Sequence, residues 1–532
     1  MTTIIFDGVD FHYDTPYTDV FQNLSLVLDT HWRSGLIGRN GRGKTTLLQL
    51  IHRQLQATTG TIDVHRPTVY FPAPAIASAT VRQTMVDAIA PFSHWQAAME
   101  QCLKDGSETA LERYADIQDR FQNAGGYHLE ANIERELDHI ALDPSLLERC
   151  FSTLSGGEQT RILIAALFVS DQHFPLIDEP TNHLDQAGRR QVADYLAEKN
   201  GFLLVSHDRQ FLDGAIDHVV AINKSDVEVS AGTFKAWQAD TASALLHEQR
   251  TRDNIEREVK QLARASTQRR SSSQQRESDK YQHGRAGKGD AAIFDKGAIG
   301  HSAAKQMKRA LTIERRINQQ LEEKRGLLKN QEKQRVLSIQ TRDKTRHPLL
   351  TINNLDLEIA RKLIVQNLSL TLSSGDRIAI TGPNGSGKTS VFNAICSELT
   401  PTGGSISQAA HIRFDRAFQQ PLWSKGFLQA YIEATGIDET HFRQLLGTLE
   451  VRGDVFDRPL ETLSQGQLKK VDLCRTLVSE VDYLLWDEPM NYIDIFSREQ
   501  IEQAILISSP TMLFIEHDET FVNNVATEVI CL

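Results

Sequence analysis

The chain has little of what a membrane or an oxidising compartment demands. Its apolar runs, such as ILIAALFV (162–169), stop far short of the roughly 18–20 residues a spanning helix requires, so no membrane span is expected. Cysteine is sparse and scattered: five residues, at 102, 150, 396, 474 and 531, with no CxxC pair and no histidine at ligand spacing. Free thiols in a reducing compartment are expected, and neither a disulfide framework nor a zinc site. The opening MTTIIFDGVD has no basic segment ahead of an apolar one, so no secretory leader is expected and the chain reads as cytoplasmic. With 40% hydrophobic and 24% charged residues in 532, the composition is that of two to four ordinary globular domains.

What is present comes twice. GRNGRGKTT (Gly38, Asn40, Gly41, Gly43, Lys44, Thr45, Thr46) returns as GPNGSGKTS (Gly382, Asn384, Gly385, Gly387, Lys388, Thr389, Ser390). Each copy follows an apolar strand-like run and precedes a helix-like one, the setting a GxxxxGK[ST] phosphate loop needs. The glycines let backbone N–H groups turn inward around phosphate oxygens, the lysine neutralises them, and the threonine hydroxyl can ligate Mg²⁺. LSGGE then begins at Leu154 and LSQGQ at Leu463, and an apolar run ending in Asp-Glu follows each at the same interval: Asp178–Glu179 and Asp487–Glu488. Two carboxylates at the C-terminal edge of a parallel sheet stand where open α/β sheets bind ligands. Phosphoryl transfer to water needs positioning and charge neutralisation, so Asp178 and Asp487 are candidates for the Mg²⁺ shell and Glu179 and Glu488 for general bases. His207 and His517, each after a further strand-like run, are candidates to contact the γ-phosphate.

The order of these motifs resembles the nucleotide-binding domain of ATP-binding cassette (ABC) proteins, over 1–240 and about 348–532. The resemblance implies an α/β fold with two P-loop domains paired head to tail, each ATP lying between one P-loop and the other domain's signature. One site would join Lys44, Asp178, Glu179 and His207 with Ser464 and Gly466; the other would join Lys388, Asp487, Glu488 and His517 with Ser155, Gly156 and Gly157. Asp185 and Asp494 match the loop that couples the sites. Tyr13 falls where the family stacks an aromatic on adenine, and its counterpart Ile359 cannot stack. Other departures are Ala73 where a glutamine belongs, Gln419 or Gln420 at the second such place, Glu516 for the serine of SHD, and MNYID for TNHLD. Unequal turnover at the two sites is expected.

Between the domains, residues 248–346 carry 25 Lys+Arg against 13 Asp+Glu, a net charge of +12 on a chain of −11. Such a basic stretch is the footprint of contact with a polyanion. No Gly or Pro occurs over 233–283, and Ile255, Val259 and Leu262, then Ile313, Ile317, Leu321 and Leu328, form two stripes. These predict an antiparallel helical hairpin over 241–347. Its tip, 284–300, offers Lys288 and Lys296 beside the apolar Ile293–Phe294, which suits contact with unstacked RNA bases. Two cassettes with such a linker resemble the F subfamily of ABC proteins. AAIFDKGAIGHSAAKQMKRALTIERR (291–316), EKRGLLKN (323–330) and WDEPMNYIDIF (486–496) resemble its Lsa-type antibiotic-resistance branch.

That resemblance implies an ATPase using ATP and Mg²⁺. It would act as a cytoplasmic monomer on the ribosome near the tRNA exit site, with the linker contacting large-subunit rRNA and tRNA. The expected outcome is protection from lincosamide, streptogramin A and pleuromutilin antibiotics. One stretch departs from the branch: the interval from Lys44 to Leu154 is longer than that from Lys388 to Leu463. The extra residues include 110–140, where Leu111, Tyr114, Ile117 and Phe121 stand at helical spacing. They predict an enlarged helical subdomain and keep a housekeeping translation factor as the alternative.

Overall fold

A computed structural model describes residues 2–14, 17–73, 78–224, 226–244, 348–451 and 453–532, with isolated positions between 245 and 347. The linker stripes and the tip residues Lys288, Ile293, Phe294 and Lys296 lie outside the described residues. The chain divides into two compact units, one formed by Met1–Lys235 with Gln334–Leu532, the other by Ala236–Lys333. Two α/β repeats make up the first unit. Leu337, ahead of the second repeat, is buried in its core beside Trp423 and Leu428.

Each repeat has two sheets. Among the described residues, a three-stranded antiparallel sheet joins Tyr17–Asp29, Thr3–Asp14 and Thr59–Val64, matched by Lys362–Leu372, Leu350–Ile359 and Gly403–Gln408. The second sheet is parallel at its centre. Its order is Thr68–Phe71, Phe174–Asp178, Phe202–Val205, Arg33–Gly38, His218–Ile222 and antiparallel Val227–Ala231. In the second repeat the order is Phe414–Ala417, Tyr483–Asp487, Met512–Ile515, Arg377–Thr381, Glu528–Cys531. The central strands read as continuous apolar runs because both faces are covered: FLLV (202–205) and MLFI (512–515) are buried at every position.

The longer interval of the first repeat folds as helices Phe92–Asp105, Glu108–Asn123 and Leu129–His139. Ile117 and Phe121 face inward, and Phe121 meets Phe92 edge-on at 5.5 Å. Leu111 is exposed: Ala110, not Leu111, turns inward in the first turn, so the stripe is shorter than the spacing predicts.

Trp486 anchors the strand that carries Asp487. It is fully buried, and its Nε1 donates to Thr476 Oγ1 at 3.1 Å. Trp486→Ala is expected to cost about 3–5 kcal/mol of stability by cavity formation. Trp486→Phe should cost about 1 kcal/mol from the lost hydrogen bond. Urea denaturation midpoints of the two variants check this.

Candidate functional site

Lys44 and Lys388 open the helices Lys44–Ile51 and Lys388–Ile395. The glycine before each is left-handed, φ 93° at Gly43 and 96° at Gly387, and a Cβ there would run into Val20 or Ile364. The loop therefore demands glycine twice over. Each lysine folds back on the loop it closes. Lys44 Nζ donates to the carbonyls of Gly38 (2.8 Å) and Arg39 (3.3 Å), and Lys388 Nζ to those of Gly382 (2.9 Å) and Pro383 (2.8 Å). Burial holds both ammonium groups below the ordinary lysine range. An anion in the loop would offset that penalty.

Strands Phe174–Asp178 and Tyr483–Asp487 end in the expected aspartates. Glu179 and Glu488 follow with positive φ, 51° and 49°. Such strain is held only where neighbours enforce it. Here Glu179 N–H donates to Val205 O at 2.9 Å and Glu488 N–H to Ile515 O at 3.0 Å, tying each glutamate to the next strand of the sheet. His207 and His517 leave those same strands. His207 Nε2 stands 3.2 Å from Glu179 Oε1, and His517 Nε2 stands 3.4 Å from Glu488 Oε1.

Thr45 Oγ1 donates to Asp178 Oδ2 at 3.0 Å and Thr389 Oγ1 to Asp487 Oδ1 at 3.4 Å. Burial pushes both aspartates above the usual carboxylate range. The hydroxyl and carboxylate oxygens, beside a loop that would hold phosphate, are hard ligands of the kind that suits Mg²⁺, so the residues fit that ion. Among the described residues, no group of three or more His, Cys, Asp or Glu is arranged to hold a metal.

The signature sequences start helices. Ser155 caps Gly156–Leu167 and Glu158 reaches back to its backbone; Ser464 and Gln467 do the same for Gln465–Val478. LSGGE and LSQGQ are thus capping boxes, which aim N-terminal N–H groups outward. Each faces the P-loop of the other repeat. One cavity, of ≈ 480 Å³, brings Tyr13, Asn40, Gly41, Gly43, Lys44, Thr45, Thr46, Asp178, Glu179 and His207 to Ser464 and Gly466. The other, of ≈ 890 Å³, brings Asn384, Gly385, Gly387, Lys388, Thr389, Ser390, Glu488 and His517 to Ser155, Gly156 and Gly157. Asp487 lies buried behind its wall, and Gly38 and Gly382 contribute the carbonyls already described. At the first site the repeats are bonded. Asn40 Nδ2 donates to Tyr492 O at 2.8 Å, Asn40 N–H reaches Asp494 Oδ2 at 3.4 Å, and a Cβ on Gly466 would strike Asn40.

The two sites differ in their details. Register puts Phe71 opposite Ile177 and Ala417 opposite Trp486, each one residue before the terminal aspartate, so Ala73 and Gln419 are equivalent. Gln419 Nε2 donates to Glu488 Oε2 at 3.0 Å and lines the cavity, whereas Gln420 does not line it. Asn491 Nδ2 donates to the same oxygen at 2.7 Å. The aspartates also differ: Tyr70 OH donates to Asp178 at 2.9 Å, whereas Arg416, at the equivalent position, pairs with Asp487 at 3.4 Å. No motif letter marks Tyr70 or Arg416 as site residues, whereas Asn491 is the asparagine that MNYID shares with TNHLD. Their roles appear only once the strands are in register.

Glu516 also has a visible task. Its carboxylate accepts from Met490 N–H (3.1 Å) and His517 N–H (2.9 Å), replacing the Thr181–Ser206 hydroxyl pair of the first repeat (3.3 Å). Glu516 and Met490 are therefore a matched exchange for Ser206 and Thr181.

The model of a family described as ABC transporter matches residues 21–182 and 365–491, more than half the chain and once per repeat. The chain belongs to that family. As an ABC protein it carries two ATP-binding domains of the same kind. It is 28% identical to the "Ribosome protection protein VmlR" of Bacillus subtilis, over 96% of this chain and 83% of that protein. It is 27% identical to the "Tylosin resistance ATP-binding protein TlrC" of Streptomyces fradiae, over 96% and 94%. A solved complex of archaeal ribosome recycling factor aABCE1 with the stalk protein aP1 shares its fold. The TM-score there is 0.59 at 19% identity, covering 98% of this chain and 87% of that one. Among the described residues, no helix of this ABC protein is long and apolar enough to cross a membrane.

The paired glutamates of this ABC protein have opposite electrostatics. Burial, then the charge of Asp178, pushes Glu179 up to about 7. Burial also opposes the charge of Glu488, but His517, Gln419 and Asn491 outweigh it and bring the group down to about 2. A raised folded value gives stability that is lost as pH rises, and a lowered one gives stability that is lost as pH falls. Glu179→Gln should therefore flatten part of the loss of stability between pH 4.5 and about 7. Glu488→Gln should instead lower stability at neutral pH and flatten the loss from pH 4.5 downward. Urea midpoints at unit steps from pH 2 to pH 8 measure both.

Proposed function

We propose that the chain is an F-subfamily ABC ATPase of the Lsa type. ATP closes its two cassettes, the closed form binds ribosomes near the tRNA exit site, and the linker tip displaces lincosamide, streptogramin A or pleuromutilin drugs. The observation that carries this reading is the pairing of each P-loop with the opposite signature inside a single chain. The likeness to a ribosome protection protein over 96% of this chain and 83% of that one supports the target.

On this reading each site residue has a role. Lys44 and Lys388 exchange their loop carbonyls for phosphate oxygens of ATP, and Ser155, Gly157, Ser464 and Gly466 present capped helix N-termini to the phosphate from across the interface. Thr45 with Asp178, and Thr389 with Asp487, would hold Mg²⁺, which would supply neutralising charge to the phosphate being transferred. Glu179 and Glu488 orient and deprotonate the attacking water, and His207 and His517 steady the γ-phosphate. Lys288, Ile293, Phe294 and Lys296 contact the drug site and its rRNA.

One observation favours a second reading, a housekeeping translation factor. The helices Phe92–Asp105 and Glu108–Asn123 have no counterpart in the second cassette, where Glu439–Thr448 answers to Leu129–His139 alone.

The chain carrying Glu179→Gln and Glu488→Gln should co-sediment with purified ribosomes in ATP and not in ADP, with ATP turnover reduced at least 100-fold. Equal sedimentation in both nucleotides would overturn the proposal. Ile293→Ala with Phe294→Ala should remove drug protection in expressing cells and leave ATPase activity intact. If expression of the unaltered chain leaves drug susceptibility unchanged, the translation-factor reading stands instead.

A further inference from the structure

The cassettes meet reciprocally, but the charges at their meeting face are not reciprocal. Helix caps fix which residues are equivalent. Asp185 caps Gln186–Ala197 and Asp494 caps Ile495–Ser508, so Arg190 answers to Glu499 and Ala193 to Glu502. Asp208 caps Arg209–Ala215 and Asp518 caps Glu519–Val525, so Arg209 answers to Glu519. Residues common to both cassettes agree with this: Arg189 pairs with Asp208 at 2.8 Å and Arg498 with Asp518 at 2.9 Å.

Each short helix starts against the longer helix of the opposite cassette. Arg209 pairs with Glu502, and lies 4.0 Å from Glu499 and 3.8 Å from Asp518. Glu519 pairs with Arg190 and accepts from Gln186. The two contacts are equivalent in position and opposite in sign. The same polarity recurs at the first phosphate loop, where Arg39 and Arg42 approach Glu450 at 3.5 Å. Their counterparts in the second loop are the uncharged Pro383 and Ser386. Glu450 follows its helix in a left-handed conformation, φ 58°, as Ala141 does at φ 53°, so its counterpart is uncharged too. In all these pairs the cation comes from the first cassette and the carboxylate from the second.

We propose that this polarity decides which cassettes pair: the first accepts a surface of the second's kind, and like-with-like pairing between two copies of the chain is rejected. A symmetric interface sets each patch against itself. Two first cassettes would bring Arg209 against Arg190, and two second cassettes would bring Glu519 against Glu499 and Glu502. Arg209 and Glu502 are buried, where a like charge opposite is penalised most. Phosphate loops and capped signature helices cannot make this choice, because both cassettes carry them in nearly the same form. Rejection of the wrong pair is as much a part of specificity as attraction to the right one. The inference goes beyond the ribosomal role and depends only on contacts between the cassettes.

Hydrogen exchange read by mass spectrometry on the full chain tests it. The reporter is the loop Gly38–Lys44, whose Asn40 N–H is bonded across the interface. Arg190→Glu with Arg209→Glu gives the first cassette the second's charges, and exchange in the loop should quicken about tenfold or more. Glu499→Arg, Glu502→Arg and Glu519→Arg together should do the same from the other side. All five substitutions combined should return the rate to within about twofold of the original. The buried strands Phe202–Val205 and Met512–Ile515 report folding, since they stay protected when only the interface opens. If a one-sided variant loses that protection, the outer pair decides, because the Arg190 side chain is 62% exposed. Arg190→Glu alone should then quicken the loop about threefold, and adding Glu519→Arg should reverse it. In sedimentation velocity, an equimolar mixture of the two one-sided variants should give a two-chain species that neither gives alone. Unchanged exchange in a one-sided variant, a combined variant that stays fast, or a mixture no more associated than its components overturns the inference and leaves the ATPase reading intact.

Discussion

Asn40 sits in the P-loop of the first cassette, yet its amide donates to Tyr492 O and its backbone N–H reaches Asp494 Oδ2, both in the second. The rest of the site depends on that crossing. Asp494 is buried and is held in place by Lys470 Nζ at 2.7 Å, and Lys470 belongs to the signature helix of its own cassette. Although burial opposes its charge, Lys470 keeps Asp494 well below the usual carboxylate range. One ionised carboxylate thus links the signature helix of one cassette to the phosphate loop of the other. A fully buried charge is tolerable only while its partners stay in place, so this contact fixes a register between cassettes more than it adds stability.

Around this link the interface is largely ionic. Arg209 pairs with Glu502 across it in a buried contact and also lies 3.8 Å from Asp518, and Arg190 and Gln186 both reach Glu519. Arg39 and Arg42 approach Glu450 at 3.5 Å. Charge pairs of this kind suit an interface that opens and closes, because their energy follows geometry steeply. Nucleotide bound between P-loop and signature would add its own charge to both sides, and its loss would remove it. Coupling nucleotide state to cassette separation therefore requires no element beyond those already at the interface.

The doubled motifs made much of this legible before any coordinates. GxxxxGK[ST], the signature serine and the strand-ending Asp-Glu each fix local backbone: left-handed glycine before the lysine, a capping box, a strained residue after the strand. Local rules of that kind are written in consecutive residues. The differences between the sites were harder to read because they depend on pairing between distant segments. Gln419 and Gln420 look alike in sequence, and only the register of Phe414–Ala417 against Tyr483–Asp487 brings Gln419 to Glu488. Arg416 beside Asp487 and Lys470 beneath Asp494 are long-range ion pairs without a sequence signature. Leu111 shows the limit of spacing alone: it stands at helical spacing with Ile117 and Phe121, yet the phase of the helix start turns Ala110 inward and leaves Leu111 exposed.

The central claim is that each nucleotide site is completed by the opposite cassette. It is tested most directly by blocking one signature and locating the loss. Ser464→Arg places a bulky side chain at the helix N-terminus facing Lys44. After vanadate trapping with a photoreactive ATP analogue and peptide mapping, labelling should vanish from the first cassette's P-loop region and persist in the second's. Loss of label from the second cassette, with the first unaffected, would contradict the account.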